Sequence, residues 1–211
     1  MTAVNWGILG AAAFARQHMG PAIHQAHGAR LLALATGSPD KAAGFQEFCP
    51  DLRIHTDYDA LLHDPEIEAV YIPLPNHLHV DWTKKALQAG KHVLVEKPIA
   101  MAAGEIDGLI ALRDQTGFLA AEAYMIVHHP QWQRARQLVS EGAIGRVLHV
   151  DGAFSYNNPD PANIRNRPET GGGGIRDIGV YTYGSARFVT GAEPGRLTAR
   201  IQRENDVDVW A

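Results

Sequence analysis

The stretch that decides the fold is GKHVLVEKPIA, residues 90–100. Its centre, residues 93–95, is a run of valine and leucine of the kind that forms a buried parallel strand. The run passes without a spacer into Glu96, Lys97 and Pro98. In an open α/β sheet the ligand crevice lies at the carboxyl ends of the strands, where charged side chains leave the core. The stretch therefore predicts a buried strand whose carboxyl end carries a charged site.

Short apolar runs alternate with helix-like segments on both sides of this stretch. Strands are predicted at residues 4–9, 30–35, 68–74, 92–96 and 118–124. Helices are predicted at residues 15–25, 58–63, 77–89 and 102–116. Asn76 as an N-cap, and Gly90 and Gly117 as the residues that follow helix ends, agree with these boundaries. The alternation indicates βαβ units and a parallel sheet covered by helices, which predicts a dinucleotide-binding Rossmann domain over residues 1–123.

The pattern changes over residues 124–211. Helices are expected at residues 131–140 and 175–189. Residues 146–156 and 196–202 alternate apolar with polar side chains, which is typical of a sheet with one open face and so of antiparallel pairing. The second part of the chain is therefore predicted to be an α+β domain with an open-faced, mainly antiparallel sheet that is incomplete here.

Composition excludes several classes of protein. The 211 residues are 45% apolar, enough for a substantial core and somewhat more than one average domain. The net charge of −4 and the scattered basic residues argue against nucleic-acid binding. No export signal is visible, and no apolar stretch approaches the roughly 20 residues of a membrane span. Because the one cysteine, Cys49, has no partner for a disulfide or a zinc-thiolate site, we expect a cytoplasmic protein without a metal.

The segment GILGAAAFA, residues 7–15, stands where a dinucleotide-binding turn belongs, between the first strand and the first helix. In G-x-G-x-x-G, small residues let the backbone and the helix N-terminus approach the pyrophosphate. The three positions here are Gly10, Ala12 and Ala15. With one glycine, the segment alone also fits an alanine-rich helix packed on a sheet. The βαβ context favours cofactor binding.

The end of the second predicted strand bears on the choice between NAD and NADP. An acidic residue there usually binds the ribose 2′-hydroxyl, and an arginine accepts a 2′-phosphate. No acid occurs between Arg30 and Asp40, and no arginine replaces it. Thr36, Ser38 and Lys41 suit a phosphate. The sequence therefore favours NADP over NAD without excluding NAD.

Asp177 and Tyr181 are candidates for acid–base chemistry on an alcohol. They are four residues apart at the start of a predicted helix and so share one face. The glycine run at residues 171–174 would let backbone approach a ligand closely. A tyrosine, with a pKa of about 10, is a poor base at neutral pH, but a nearby ammonium favours its phenolate. Lys97 is the candidate for that ammonium.

Each of these residues also has a purely structural interpretation. Tyr181 fits a core aromatic residue whose hydroxyl is satisfied, and Asp177 fits a first-turn acid favoured by the helix dipole. Arg165 and Arg167 fit either substrate binding or ion pairs with Glu169. His77 and His79 have H-x-H spacing, but they point apart on a helix and do not predict a metal site.

Three segments together resemble the glucose-fructose oxidoreductase, inositol dehydrogenase and MocA family: residues 7–15, 73–100 and 171–194. The middle segment is the most specific, because Pro75-Asn76, His79 and the Glu96-Lys97-Pro98 triplet have the family's spacing. Through NIRNRPETGGGG and the D-x-x-x-Y pattern, the chain looks closest to the sugar and dihydrodiol dehydrogenases. Departures from the pattern are Ala12 for a glycine and Ile126-Val127 where many relatives carry an aromatic residue and an arginine.

The resemblance implies an NAD(P)-dependent oxidoreductase that moves a hydride between a nicotinamide and a hydroxyl-bearing carbon of a sugar, polyol or cyclic diol. It implies a second domain, here residues 124–211, whose sheet mediates dimers or tetramers. The family is longer than 211 residues. A non-catalytic dinucleotide-binding sensor of the same fold is the alternative. Because a sensor has no need of a base, the joint presence of Lys97, Asp177 and Tyr181 argues for the enzyme.

Together the residues and the resemblance assign roles. Tyr181 is the predicted acid/base, Lys97 lowers its pKa, Asp177 orients a substrate hydroxyl, and Glu96 holds the lysine or the ribose. The predicted substrate-binding residues are Arg165, Asp177 and Tyr181. The predicted cofactor-binding residues are Gly10, Ala12, Phe14, Ala15, Thr36, Ser38, Lys41, Leu74, Pro75, Asn76, His79, Glu96 and Lys97.

Overall fold

The structure of the protein, a computed structural model, describes residues 3–211. The chain divides into two compact units, Met1–Ala123 and Tyr124–Ala211. None of the helices in the described residues has the length and apolar composition that a membrane span needs.

The first unit is a six-stranded parallel sheet covered by helices. Its strands are β1 (Val4–Leu9), β2 (Ala29–Ala35), β3 (Arg53–His55), β4 (Ala69–Ile72), β5 (His92–Glu96) and β6 (Ala120–Ala123). Its helices are α1 (Gly20–Gln25), α2 (Pro39–Gln46), α3 (Tyr58–Leu62), α4 (His79–Gln88) and α5 (Ala103–Thr116). The spatial order β3-β2-β1-β4-β5-β6 reverses direction between β1 and β4, where doubly wound sheets bind their ligands. The predicted α/β class is confirmed.

The core lies on both faces of this sheet. Successive side chains of a strand point to opposite faces, so β1 sends Leu9 into one apolar cluster and Ile8 into the other. Val70 and Val95 join the first cluster, and Phe45 of α2 joins the second. Burial on both faces explains why these strands are nearly continuous apolar runs.

Some elements of the first unit differ from the sequence prediction. Neither α2 nor β3 was predicted, since β3 is a three-residue edge strand with only half-buried side chains. Asn76 begins a 3₁₀ turn, Asn76–Leu78, and α4 starts only at His79. Gly90 and Gly117 have φ of +76° and +74°, the left-handed conformation that commonly follows a helix end.

The second unit contains two longer helices and a short hairpin. The helices are α6 (Pro130–Ser140) and α7 (Val180–Thr190), and α7 continues from a π-helical turn, Ile175–Gly179. Strands β7 (Gln202–Glu204) and β8 (Val207–Trp210) pair antiparallel. Asn205 and Asp206 join them with positive φ at both positions, as in the tight turns that favour hairpins. Both predicted helices of this unit are confirmed.

The prediction of strands at residues 146–156 and 196–202 is wrong. Residues 146–156 pair with no strand in the described part of the chain, and only Gln202 of the second segment enters a strand. Leu148 and Leu197 are 80% and 82% exposed. Alternating side chains make a strand only where a neighbouring strand supplies backbone partners. The described residues supply none to these segments.

Candidate active site

The first strand ends in a tight turn at the point where the strand order reverses. Gly10 has φ +103°, and its N–H donates to the carbonyl of Ala35 at 2.8 Å. A Cβ at this position would lie 2.7 Å from Cδ2 of Leu74. The backbone conformation therefore favours glycine, and any Cβ would also have to displace the end of the Leu74 side chain. The predicted role of Gly10 in a close turn agrees with this geometry.

Two half-buried residues, Ala11 and Ala12, lead from Gly10 into a helical segment. Ala12 is half-buried, the helical segment starts at Ala13, and Phe14 lies partly exposed at its first turn. Backbone N–H groups at such a start are available to a pyrophosphate, so this turn fits a dinucleotide. Ala15 is completely buried, which suits close packing of helix against sheet better than direct contact with a cofactor.

The loop after β2 is folded on itself. Thr36 is almost fully buried, and its hydroxyl oxygen accepts a hydrogen bond from the N–H of Ser38 at 3.1 Å. Ser38 stands at the N-cap of α2, but its side chain makes no capping bond. Lys41 is exposed on the first turn. Thr36 therefore shapes the loop, and Ser38 and Lys41 are the predicted phosphate ligands that remain accessible.

The carboxyl end of β5 carries the charged site that the opening stretch predicts. Glu96 accepts a hydrogen bond from the hydroxyl of Tyr71 at 2.6 Å and one from the N–H of Lys97 at 3.3 Å. Lys97 is half-buried, and the peptide bond between Lys97 and Pro98 is cis. Sequence reasoning missed Tyr71, which lies within an apolar strand. The signal was available, since a buried tyrosine usually finds a hydrogen-bond partner.

His79, one of the predicted cofactor-binding residues, lies inside the first unit, and its contact with a cofactor stays a prediction. The ring is fully buried, and its Nδ1 and Nε2 each lie 2.7 Å from a backbone carbonyl oxygen, that of Pro98 and that of Leu74. His79 thus ties the loop after β4 to the loop after β5, and it positions Pro75 and Asn76, which lie half-buried between.

In the second unit the structure brings together two of the predicted substrate residues. The carboxylate of Asp177 lies 3.0 Å from Nε of Arg165 and accepts a hydrogen bond from the hydroxyl of Tyr156 at 2.6 Å. Arg167 pairs instead with Glu169 at 2.6 Å. The two arginines therefore take different partners. Sequence reasoning treated Tyr156 only as one position of an alternating strand and missed its contact with Asp177.

Tyr181 lies between two other aromatic rings. It stacks on Tyr124 with centroids 5.8 Å apart and interplanar angle 26°, and it packs at 5.7 Å against Phe154. The hydroxyl of Tyr124 donates to the carbonyl of Val180 at 2.6 Å, which anchors that ring on the same helix. The ring of Tyr181 is thus held on both sides. Its function as acid/base remains a prediction.

The glycine run before this helix packs against other parts of its own chain, and its approach to a ligand stays a prediction. The N–H of Gly173 donates to the carbonyl of Arg165 at 2.9 Å, and that of Gly172 to the carbonyl of Arg167 at 3.0 Å. A Cβ on Gly172 would overlap the carbonyl of Arg165. The glycines therefore allow the loop that carries Arg165 to sit against the helix that carries Asp177.

Gly172→Ala should destabilise the second unit by about 1–3 kcal/mol, because the added methyl group meets backbone atoms that cannot swing away. Chemical denaturation followed by circular dichroism measures the change. Gly195→Ala is the matched control, since a Cβ there has no atom within 4 Å. Equal stability of the two variants would contradict the packing described for Gly172.

Partial burial raises the pKa of the half-exposed Tyr156 to about 12, and the hydrogen bond to Asp177 is the next cause. The phenol therefore remains a neutral donor throughout the ordinary pH range. Since its folded pKa lies above the unfolded value of about 10, its contribution to stability is complete below that pH and is lost as the pH rises towards about 12.

Alkaline titration of the protein, followed by tyrosinate absorbance, measures the ionisation of its tyrosines. Tyr156→Phe should remove one tyrosine that ionises only at high pH. The expected loss is the amplitude of one tyrosine around pH 12. Tyr183→Phe, which changes a tyrosine of the same unit with nearly the same exposed fraction, should leave that phase intact. If the late phase is unchanged in Tyr156→Phe, the hydrogen bond to Asp177 does not hold the proton.

Family comparisons match both units. The model described as the oxidoreductase family, NAD-binding Rossmann fold, covers residues 4–124. The model of the GFO/IDH/MocA C-terminal domain covers residues 132–211.

Individual relatives are similar over nearly the whole chain. An uncharacterized oxidoreductase of Rhizobium meliloti is 45% identical over 94% of the chain and 60% of its own length. The D-xylose 1-dehydrogenase (NADP(+)) 2 of Haloferax volcanii is 36% identical over 97% of the chain and 62% of its own length. The chain thus spans about 60% of the length of these relatives.

A solved structure with the same fold is a 3-ketoreductase from Actinomadura kijaniata in complex with TDP-benzene and NADP. Its tyrosine-to-phenylalanine variant is 32% identical, with a TM-score of 0.83 over 89% of this chain and 57% of that one. A lysine-to-alanine variant of the same enzyme gives a TM-score of 0.73 at 30% identity, over 89% of this chain and 56% of that one.

Proposed function

The chain belongs to the Gfo/Idh/MocA oxidoreductase family, and we propose that it transfers a hydride between a nicotinamide cofactor and a hydroxyl-bearing carbon of a sugar, polyol or cyclic diol. The observation that carries the proposal is the carboxyl edge of the parallel sheet. There the Gly10 turn stands at the reversal of strand order, and Glu96 and Lys97 end the strand β5. A ligand crevice is expected at this edge.

Named residues of the first unit would hold the cofactor. The bend at Gly10, Ala12 and Phe14 would bind the pyrophosphate, and Pro75 with Asn76 would line the path beyond it. Glu96 is oriented by Tyr71 and so presents a fixed carboxylate beside Lys97. When bound, the nicotinamide supplies the carbon that accepts or donates the hydride.

The proposed proton transfer uses residues of both units. Tyr181 takes the proton of the substrate hydroxyl, and the Lys97 ammonium favours its phenolate. The Actinomadura kijaniata enzyme supports this choice: its solved variants alter a tyrosine and a lysine that have the same separation in sequence as Tyr181 and Lys97. Asp177, oriented by Arg165 and Tyr156, would bind a further substrate hydroxyl.

We also propose a function for each of the two units and an oligomeric state for the intact protein. Residues 1–123 bind the cofactor, and residues 124–211 belong to the substrate and oligomerisation domain. The protein works in the cytoplasm as a dimer or tetramer formed through the sheet of that domain. Analytical ultracentrifugation of the natural protein tests the assembly, and a monomer at micromolar concentration would contradict it.

A turnover screen tests the proposed activity. The intact natural protein is incubated with NADP or NAD and with aldoses, inositols or cyclic diols, and the dihydronicotinamide absorbance is followed. The reverse direction is assayed with a nucleotide-linked ketosugar, which the Actinomadura kijaniata 3-ketoreductase suggests as a substrate class. Calorimetry measures cofactor binding in parallel. Cofactor binding without turnover on any substrate class would favour a dinucleotide sensor, and no binding would contradict both functions.

A further inference from the structure

Arg16, in the helical segment that follows the dinucleotide turn, lies across helix α2 at Gly44. A Cβ on Gly44 would be 2.5 Å from Cδ of Arg16, 2.9 Å from Nη1 and 3.4 Å from Nε. Any larger residue would displace the arginine. The close approach therefore holds an exposed guanidinium against the second half of α2, one turn beyond Lys41.

Two cations in this region have no anionic partner in the described part of the chain. Arg16 makes no side-chain hydrogen bond or ion pair there, and neither does Lys41. Lys41 and Gly44 are three residues apart on α2 and so lie on one face of the helix. Asp40, in the same first turn, pairs with neither cation. Two positive side chains, Arg16 from the first helical segment and Lys41 from α2 itself, thus lie on the same face of α2 without an anionic partner in the described residues.

The position of these cations indicates which part of a dinucleotide they meet. In a Rossmann fold the adenosine ribose lies at the carboxyl end of the second strand, which here leads through Thr36 into α2. No carboxylate stands at the tip of β2 to bind a ribose hydroxyl pair. Ser38, at the N-cap of α2, has a hydroxyl that makes no capping bond. The polar groups near this position are the cations Arg16 and Lys41 and the hydroxyl of Ser38, which suit a phosphate.

We infer that Arg16 binds the 2′-phosphate of NADP together with Lys41 and Ser38. The absence of a side chain at Gly44 leaves the space that Arg16 occupies. The inference rests on the proposed dinucleotide-binding function. A guanidinium binds phosphate through charge-assisted hydrogen bonds in a fixed planar geometry. The position of Arg16 therefore determines how strongly it binds the 2′-phosphate. Arg16 is thus a specificity residue that lies outside the loop after β2.

The test uses the intact natural protein and two small probes. 2′,5′-ADP carries the 2′-phosphate and 5′-AMP lacks it, and calorimetry gives both dissociation constants. Arg16→Ala should weaken 2′,5′-ADP about ten-fold or more and leave 5′-AMP unchanged. Gly44→Ala should weaken 2′,5′-ADP in the same sense, since its Cβ displaces the flexible end of Arg16 while alanine favours the helix.

Arg30→Ala is the matched control, because it removes the same charge at the amino end of β2. It should bind both probes like the wild type. Unchanged 2′,5′-ADP binding in Arg16→Ala overturns the inference, and so does an equal loss of both probes, which would indicate a general structural role. If the wild type binds 5′-AMP but gains nothing from the 2′-phosphate, only the inference fails. If it binds neither probe nor NADP, the proposed function fails with it.

Discussion

Lys97→Met and Tyr181→Phe should each lower the rate of hydride transfer by about 10²- to 10⁴-fold, while NADP still binds. In the proposed mechanism, Tyr181→Phe removes the group that takes the proton, and Lys97→Met removes the charge that favours its ionised form. Tyr181→Phe leaves the aromatic packing against Tyr124 and Phe154 intact, so the loss belongs to the hydroxyl. Single-turnover kinetics on the intact enzyme measures hydride transfer, and calorimetry measures cofactor binding.

Matched controls separate this chemistry from a general loss of structure. Lys84→Met changes a partly exposed lysine of α4, and Tyr183→Phe changes an exposed tyrosine of α7. Both should retain the wild-type rate. The thermal unfolding of all four variants should be similar to that of the wild type. Near-wild-type kcat in both Lys97→Met and Tyr181→Phe would remove these residues from the mechanism.

His79→Ala should lower the free energy of unfolding by about 2–4 kcal/mol. The substitution removes the ring whose nitrogens lie 2.7 Å from the carbonyl oxygens of Leu74 and Pro98, and a buried carbonyl left without a donor costs about 1–3 kcal/mol. It also opens a cavity at a fully buried position beside α4. Urea denaturation followed by circular dichroism measures the loss. The affinity for NADP should fall as well, because the loops after β4 and β5 are no longer tied together.

His77→Ala is the control for this change. His77 lies two residues earlier in the 3₁₀ turn and is exposed, so its loss should alter stability little. A value for His79→Ala close to that of His77→Ala would mean that the two carbonyl contacts contribute nothing. Retained stability together with weaker NADP binding would instead assign His79 to direct cofactor contact.

The parallel sheet was predictable because its strands are buried on both faces. The predicted strands at residues 4–9 and 92–96 coincide with β1 and β5. A continuous apolar run bounded by turn residues is a strong local signal. The edge strand β3 carries no such signal, since its three residues are only half-buried. In the second unit, alternation at residues 146–156 indicated a strand, but pairing depends on partners far away in sequence.

The sequence by itself determined the elements of the first unit other than α2 and β3, and the residues at two strand ends, Gly10 after β1 and Glu96 with Lys97 at the end of β5. These features follow from local periodicity and from single residues with special backbone or charge. Only the tertiary structure decided which distant groups meet: His79 with two backbone carbonyls, and Arg16 with Gly44.

The opening stretch illustrates the same division. Local sequence predicts that GKHVLVEKPIA is a strand with a charged end, because both properties depend only on neighbouring residues. That Tyr71 orients Glu96, or that a buried histidine holds the carbonyl of Pro98, depends on β4 and α4 folding against β5. Such contacts join residues 19 and 25 positions apart in the chain, and packing alone brings them together.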